Sequence, residues 1–354
     1  AGVLKACNMR CAGGLAVSPC QIWQTPRNSR KQGSRLARNG FAAGRAQRRH
    51  GMREIVVISG KGGTGKTTLC ASLAALAHRE GLNPVLCDLD VDVPDLHIIF
   101  DPRIEQEQPF ISGHTAVIDE AACTQCGRCM ELCQFGAVHV KDGVFGIDAL
   151  DCEGCGVCHK LCPAGAIEFP ERHCGTLYLS RTRFGTFVHA QLEPGQENSG
   201  RLVGLLKQKA REIAAAEEGG LILCDGSPGI GCPVISSLSG ATLAVAVVEP
   251  SPSGRHDFER VADLCGHFRI PVAVIINKAD LNDDEARAIE EQAVRRGHAL
   301  AGRLPFSPLV TEAMVRGEAL TERDSPLASE LEQIWRRIRA MADKPARRAN
   351  INTL

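Results

Sequence analysis

The sequence GKGGTGKT at residues 60–67 decides the fold of this chain of 354 residues. It matches the pattern G-x4-G-K-S/T, follows the β-branched apolar run Ile55–Ser59, and precedes a helical pattern over Lys66–Arg79. Glycines allow the backbone N–H groups of such a turn to point toward phosphate oxygens, and the N-terminus of the next helix adds positive potential. We therefore predict a strand, a phosphate-binding loop and a helix, in this order.

Two side chains of this loop are predicted to act on a bound nucleotide. Lys66 is expected to reach the β- and γ-phosphates, and the hydroxyl of Thr67 is expected to bind Mg2+. A glycine-rich turn alone would be weak evidence, but the complete pattern between a strand and a helix is specific. The residues of this segment predicted to contact the nucleotide are Gly60, Lys61, Gly62, Gly63, Thr64, Gly65, Lys66, Thr67 and Thr68.

Acidic residues follow two further apolar runs, Val85–Asp88 and Leu221–Asp225. An acid at the carboxyl end of a parallel strand lies at the ligand crevice, so Asp88 and Asp225 are predicted to lie near the Mg2+. Asp90 is a candidate for positioning the attacking water. A lone aspartate in such a place would more simply cap a helix or a turn.

Short apolar runs separated by helical sequence, such as Leu243–Val248 and Val272–Asn277, indicate a mostly parallel sheet covered by helices on both faces. The fold class is therefore α/β, and residues 115–170 interrupt its rhythm. We predict a basic N-terminal extension at 1–51, a P-loop ATPase domain in two parts at 52–114 and 171–343, a small α+β insert at 115–170, and a C-terminal tail at 344–354.

The insert contains eight of the 17 cysteines of the chain, in the spacing C-x2-C-x2-C-x3-C repeated 29 residues later. Disulfide frameworks rarely repeat so tight a spacing, which favours metal binding in a reducing, cytoplasmic compartment. The repeat resembles a bacterial two-cluster ferredoxin, in which three thiolates of one repeat and the fourth of the other hold each 4Fe-4S cluster. This resemblance implies one cluster on Cys123, Cys126, Cys129 and Cys162, and a second on Cys152, Cys155, Cys158 and Cys133.

Zinc is the alternative to the clusters, because C-x2-C pairs also form tetrahedral zinc sites. Cysteines outside the repeat mostly lie in apolar segments, where a free cysteine packs as a small hydrophobic residue. Packing is the expected role of Cys70, Cys87, Cys174, Cys224, Cys232 and Cys265. Cys232 is the exception for which a functional role is the alternative, because it lies just beyond the segment that begins at Asp225.

The charges of the chain, 41 Lys+Arg and 41 Asp+Glu, balance only overall. Residues 1–51 hold ten Lys/Arg and no acid, which leaves 31 against 41, a net charge of −10, on residues 52–354. An acidic body argues against bulk affinity for nucleic acid. No apolar run approaches the roughly 18 residues of a membrane span, so no membrane partner is expected. The extension has the composition of a transit peptide or of a segment that never folds.

The extra lysine of the loop, Lys61, makes GKGGTGKT resemble the deviant Walker A loop of the MinD/ParA/Mrp superfamily of ATPases. The resemblance implies that Lys61 reaches the nucleotide of a partner subunit, in a homodimer or a dimer with a paralogous subunit that encloses two ATP molecules. It places Asp88 and Asp90 in switch I and Asp225 in Walker B. Asn277 belongs to an N-K-x-D element that reads guanine in GTPases. In a superfamily that mostly uses ATP, Asn277 is expected either to contact adenine or to cap the next segment.

The order of P-loop, cysteine repeat and Walker B resembles the ATPases of this superfamily that contain an inserted ferredoxin domain. The resemblance implies a Mg2+-dependent ATPase that couples dimer closure to electron transfer, or to metallocofactor assembly on an unidentified client protein. Two alternatives remain: an electron carrier in which the nucleotide is only a switch, and a ParA-like positioning ATPase acting on DNA or membrane.

Overall fold

The computed structural model describes residues 51–196, 198–217 and 220–343. Residues 1–50 of the extension predicted at 1–51 and the tail predicted at 344–354 lie outside these residues. The described residues fall within one compact unit.

Strands and helices alternate through most of the chain. The strands are β1 (Arg53–Ser59), β2 (Val85–Asp88), β3 (Arg103–His114), β4 (Val117–Ile118), β5 (Val138–Lys141), β6 (Val144–Ile147), β7 (Ile167–Glu168), β8 (Glu171–Arg181), β9 (Thr186–Leu192), β10 (Leu221–Pro228), β11 (Leu243–Val248), β12 (Val272–Asn277) and β13 (Ala299–Leu304). The helices are α1 (Lys66–Arg79), α2 (Leu96–Phe100), α3 (Arg128–Leu132), α4 (Val157–Leu161), α5 (Ser199–Ala216), α6 (Cys232–Leu238), α7 (Pro252–His267), α8 (Asp283–Arg295), α9 (Pro308–Val315) and α10 (Pro326–Ala342).

A nine-stranded sheet in the order β13-β12-β11-β1-β10-β2-β9-β8-β3 forms the centre of the fold. Neighbouring strands are parallel from β13 to β9, and β8 is antiparallel to both of its neighbours, β9 and β3. Separate hydrophobic clusters cover its two faces, one built on α5, α6, α7 and α8 and the other on α1, α2 and α10. The predicted mostly parallel sheet with helices on both faces is confirmed.

The predicted strands Val85–Asp88, Leu243–Val248 and Val272–Asn277 and the helix Lys66–Arg79 have the predicted bounds. The antiparallel strands β3 and β8 were not predicted. The edge strand β3 has the sequence RIEQEQPFISGH, in which charged residues and a proline replace the apolar run of an inner strand. Strand β3 ends directly before the segment 115–170 and β8 begins directly after it, so the two strands attach this segment to the edge of the large sheet.

The two halves of the segment 115–170 have equivalent backbone structures. Helices α3 and α4 lie 29 residues apart, and each follows a glycine in the left-handed conformation, Gly127 with φ 77° and Gly156 with φ 71°. Two equivalent hydrogen bonds cross between the halves: the N–H of Asp119 donates to the carbonyl of Ala166 and that of Asp148 to the carbonyl of Ala137, both at 2.8 Å. The strands pair as β4 with β7 and β5 with β6, around a small hydrophobic cluster of their own.

Five of the six cysteines predicted to pack in the interior are buried, but Cys232 is exposed as the first residue of α6. The prediction of packing for Cys232 was wrong, because the first residue of this helix lies at the surface. Among the described residues, no helix is long and apolar enough to cross a membrane.

Candidate functional site

The loop 60–65 joins the buried strand β1 to helix α1, as the motif predicts. Gly65 caps the helix with φ 93°, and a Cβ there would lie 2.5 Å from Nδ2 of Asn277, so both the conformation and the contact require glycine. Nδ2 of Asn277 donates to the carbonyl of Thr64 at 2.8 Å, and Nζ of Lys278 donates to the carbonyl of Gly63 at 3.2 Å. The last residue of β12 and the residue after it therefore brace the loop.

A cavity of about 600 Å³ opens over this loop, within the usual size of a ligand pocket. The predicted nucleotide contacts that line it are Gly62, Gly63, Gly65, Lys66, Thr67, Thr68, Asp90 and Asn277. Gly60, Lys61 and Thr64 line a smaller neighbouring cavity instead, and Asp88 and Asp225 lie buried beneath the floor. The structure thus gathers most of the predicted set and separates Lys61 from it.

The groups predicted to bind Mg2+ lie at the floor of the cavity and beneath it. The hydroxyl of Thr67 donates to Oδ2 of Asp225 at 2.6 Å, and Oδ1 of Asp225 is buried with no hydrogen-bond partner among the described residues. Nζ of Lys66 lies 3.8 Å from Oδ2 of Asp90. A hydroxyl and carboxylate oxygens are hard ligands that suit Mg2+, and an unpaired buried oxygen is costly unless something binds it. These residues therefore fit the metal.

Both carboxylate oxygens of Asp88 accept hydrogen bonds from nearby backbone N–H groups. Its Oδ1 accepts from the N–H of Asp90 at 3.1 Å, and its Oδ2 accepts from the N–H of Leu96 at 3.3 Å. Burial, with the charge of Asp225 second, raises the pKa of Asp88 well above its ordinary value. Asp88 thus holds the segment that presents Asp90 to the cavity, and it does not line the cavity itself.

Burial also raises the pKa of Asp225, to about 6, although Lys66 and the Thr67 hydroxyl lower it. The folded chain therefore retains a proton here that the unfolded chain releases near pH 4, and the free energy of unfolding should fall as the pH rises from about 4 to about 6. We expect Asp225→Asn to remove this loss, which amounts to at most about 3 kcal/mol. Denaturant unfolding without nucleotide or Mg2+ at pH 5.0 and 7.5 measures it.

The matched control for Asp225→Asn is Asp92→Asn, which changes an exposed carboxyl at the rim of the same cavity. Its effect on unfolding should stay within about 0.5 kcal/mol at both pH values. An Asp225→Asn chain that is less stable than the parent at pH 7.5 would contradict the expected ionisation.

One wall of the cavity was not predicted. Phe306, Val310 and Met314, in and before α9, face the loop across the cavity, and the side chain of Phe306 is 56% exposed. Oδ1 of Asp280, the last residue of the N-K-x-D element, accepts the N–H of Phe306 and so holds this wall. The wall follows β13, so recognising that strand in the sequence would have indicated a ligand-facing segment after it.

The eight cysteines of the repeat line two concavities in the segment 115–170. Cys123, Cys126, Cys129 and Cys162 line the first, and Cys133, Cys152, Cys155 and Cys158 line the second. Each concavity therefore combines three cysteines of one repeat with the fourth of the other. In the described part of the chain, no three His, Cys, Asp or Glu side chains converge as ligands of a single metal ion.

Backbone amides surround one of these thiols. Slight burial raises the pKa of Cys133, but hydrogen bonds from the N–H groups of residues 135–138 outweigh burial and lower it below its ordinary value. Arg172, at the start of β8, was not predicted as part of any site. Its guanidinium donates to the carbonyls of Cys152 and Ala149 and, at 2.6 Å, to the hydroxyl of Thr115. Arg172 thus ties the second concavity to the strand that anchors it.

The parallel sheet, the braced phosphate loop and the acids at the strand ends define a P-loop nucleotide-binding protein. Residues 55–320 match the CobQ/CobB/MinD/ParA nucleotide binding domain family (CbiA), and the chain belongs to this family. It is 37% identical over 230 residues to the uncharacterized protein MJ0578 of Methanocaldococcus jannaschii, covering 65% of this chain and 79% of that protein. A second uncharacterized protein of the same organism, MJ0579, is 24% identical over 275 residues, covering 75% of this chain and 90% of that protein.

Solved structures show the same fold at low identity. The septum site-determining protein MinD complexed with Mg-ADP from Pyrococcus horikoshii superimposes with a TM-score of 0.51 at 15% identity, covering 82% of this chain and 98% of that chain. Apo McdA from Cyanothece gives a TM-score of 0.50 at 13% identity, covering 80% and 98%. The fold is thus that of the MinD/ParA nucleotide-binding proteins.

Proposed function

We propose that this chain is a Mg2+-dependent ATPase that carries two 4Fe-4S clusters and couples nucleotide-driven dimer closure to electron transfer or metallocofactor assembly on a client protein. The observation that carries the proposal is that three cysteines of one repeat and the fourth of the other line each concavity, which we call the crossed lining. Each concavity thus contains one complete predicted ligand set. Residues 115–170 would be the cluster-binding insert between the two parts of the ATPase domain, 52–114 and 171–343.

The donor chemistry of the concavities supports iron–sulfur clusters over a single ion. In a 4Fe-4S cluster each thiolate binds a different iron, so four cysteines surround the cluster without converging on one point. The amides around Cys133 would stabilise a thiolate ligand, as hydrogen bonds to cluster sulfurs do. When bound, such clusters supply a store for single electrons.

The cavity over the loop supports ATP as the nucleotide. Lys66 and Thr67 line this cavity and Thr67 contacts Asp225, which supports phosphate binding by Lys66 and Mg2+ binding by Thr67. Oδ1 of Asp280 already accepts from the N–H of Phe306, which disfavours a bidentate contact of this carboxylate with guanine. Asp90 would position the attacking water, next to the charge of Lys66.

The position of Lys61 supports a dimer. Its ammonium is held by Glu249 at 2.8 Å and does not line the cavity of its own chain. A lysine that acts on the nucleotide of a second subunit would be found outside its own site. The partner would be a second copy or a paralogous subunit, and the client remains unidentified.

Replacing Lys61 tests this function directly. We expect Lys61→Ala to change the affinity for MgATP less than about threefold and to lower turnover at least about 100-fold, because a charge supplied in trans stabilises the transition state. Calorimetric titration and phosphate release measure the two effects. Lys209→Ala, on α5, is the matched control and should retain turnover. Normal turnover in Lys61→Ala would remove the dimer from the proposal, whereas binding without turnover in the parent chain would leave the nucleotide as a switch only.

A ParA-like positioning ATPase is the second candidate, and the fold shared with MinD and McdA favours it. That function needs the nucleotide site and the dimer but no cluster. A chain that hydrolyses ATP and contains no iron after anaerobic purification would support it, with DNA and vesicle binding as the next measurements.

A further inference from the structure

Three charged side chains meet at the edge of the phosphate loop. Oε2 of Glu249 lies 2.8 Å from Nζ of Lys61, and its Oε1 accepts from Nζ of Lys278. The three residues follow β1, β11 and β12, which are adjacent parallel strands, so their carboxyl ends reach the same edge of the sheet. One carboxylate therefore holds two ammonium groups.

The burial of these groups is unequal. The side chain of Glu249 is 17% exposed, that of Lys278 is 28% exposed and that of Lys61 is 37% exposed. Lys278 also donates to the carbonyl of Gly63 and lines the nucleotide cavity, so it is fixed by several contacts. Among the described residues, Lys61 forms one ion pair, which is with Glu249. Lys61 is thus the more easily released of the two.

We propose that Glu249 is a positioning residue that retains Lys61 on its own subunit and has to release it before the ATP-bound dimer can close. The inference rests on the proposed function, in which Lys61 acts across the dimer. Contact with a partner's nucleotide requires the ammonium of Lys61 to leave Glu249, because it cannot bind the Glu249 carboxylate and the partner's phosphates at the same time. The Lys61–Glu249 pair therefore sets the protein concentration at which ATP assembles the dimer.

Lys278 lowers the free energy needed to separate Lys61 from Glu249. Removing one partner of a half-buried ion pair normally leaves an uncompensated charge. Here Lys278 still neutralises Glu249 after Lys61 departs, so the separated state does not contain an unpaired carboxylate. The residue that braces the loop thus also lowers the cost of opening the pair.

Glu249→Gln is the test of this inference, because it removes the charge and keeps the size of the side chain. We expect the dissociation constant of the dimer with a non-hydrolysable ATP analogue to fall about fivefold, the scale of a partly exposed ion pair. Sedimentation equilibrium measures it. Glu259→Gln is the matched control, since Glu259 also forms an ion pair, with Arg296, but does not contact the loop.

Two further measurements isolate the pair. In a Lys61→Ala background, Glu249→Gln should no longer tighten the dimer, because the coupling needs both residues. In the nucleotide-free chain, the Lys61 amine should react with an acylating reagent about threefold faster in Glu249→Gln than in the parent, with the exposed Lys141 as internal reference. Mass spectrometry of the peptides reports this ratio without any dimer.

Several results would overturn the inference. They are an unchanged or weaker dimer in Glu249→Gln, the same tightening in the Lys61→Ala background, or equal reactivity of Lys61 in both chains. A parent chain that binds the ATP analogue but never dimerises would instead refute the proposed function. The two failures are therefore distinguishable.

Discussion

Replacing Lys66 by alanine is expected to weaken MgATP binding at least about 100-fold, which corresponds to about 3 kcal/mol. Lys66 is 5% exposed and lines the cavity, where water screens a phosphate charge poorly. Without its ammonium, the negative charges of Asp90 and Asp225 would face the bound phosphates without the opposing charge of Lys66. Isothermal titration calorimetry with MgATP and with MgADP measures the loss.

The matched control for Lys66→Ala is Lys278→Ala, because Lys278 lines the same cavity at its rim and is more exposed. The loss of affinity there should be at least about tenfold smaller, since solvent screens the rim. Equal losses would show that the two lysines act only through the overall charge of the cavity. An unchanged affinity in Lys66→Ala would refute phosphate binding by the loop.

The phosphate loop could be predicted because its information is local. The glycines, Lys66 and Thr67 stand in one short segment, and the apolar strand before it reaches the same crevice as the acids in β2 and β10, Asp88 and Asp225. Once a parallel sheet is predicted, Asp88 and Asp225 have to lie near the loop. The sequence could not indicate that Asp88 uses its oxygens on the backbone of Asp90 and Leu96, because that depends on the path of the chain after the strand.

The contacts of Lys61 depend on strand order, which the sequence does not contain. Glu249 and Lys278 lie far from Lys61 along the chain and meet it because β11 lies between β1 and β12 in the sheet. The wall formed by Phe306 and Met314 is a similar case. It follows the edge strand β13, whose sequence ALAGRL is too short and too mixed to be distinguished from a loop.

The cysteine repeat was predictable as a pattern, whereas the ligand sets that the ferredoxin resemblance implies stay a prediction, to be tested by metal analysis. The strands that carry the repeat were not predictable, since β3 is an exposed edge strand without an apolar run. Arg172 was also missed, because a single arginine has no sequence signature and its partners are the backbone carbonyls of Cys152 and Ala149.

Anaerobically purified protein is expected to contain about eight iron atoms and about eight acid-labile sulfides per chain, four of each in every cluster. The four cysteines of each predicted ligand set line one concavity. Colorimetric iron and sulfide assays, with zinc measured in parallel, give the result. The matched control is Cys232→Ser, because Cys232 is exposed but belongs to neither set. Stoichiometric zinc without sulfide would replace the clusters by zinc sites.

The crossed assignment makes a sharper prediction about pairs of variants. Cys126 and Cys162 belong to different repeats but line the same concavity, whereas Cys133 lines the other one. The double variant Cys126→Ala with Cys162→Ala should therefore lose one cluster and retain about four irons, as either single variant does. Cys126→Ala with Cys133→Ala should lose nearly all the iron, because it damages both sites. The opposite result would assign the four cysteines of each repeat to a cluster of their own.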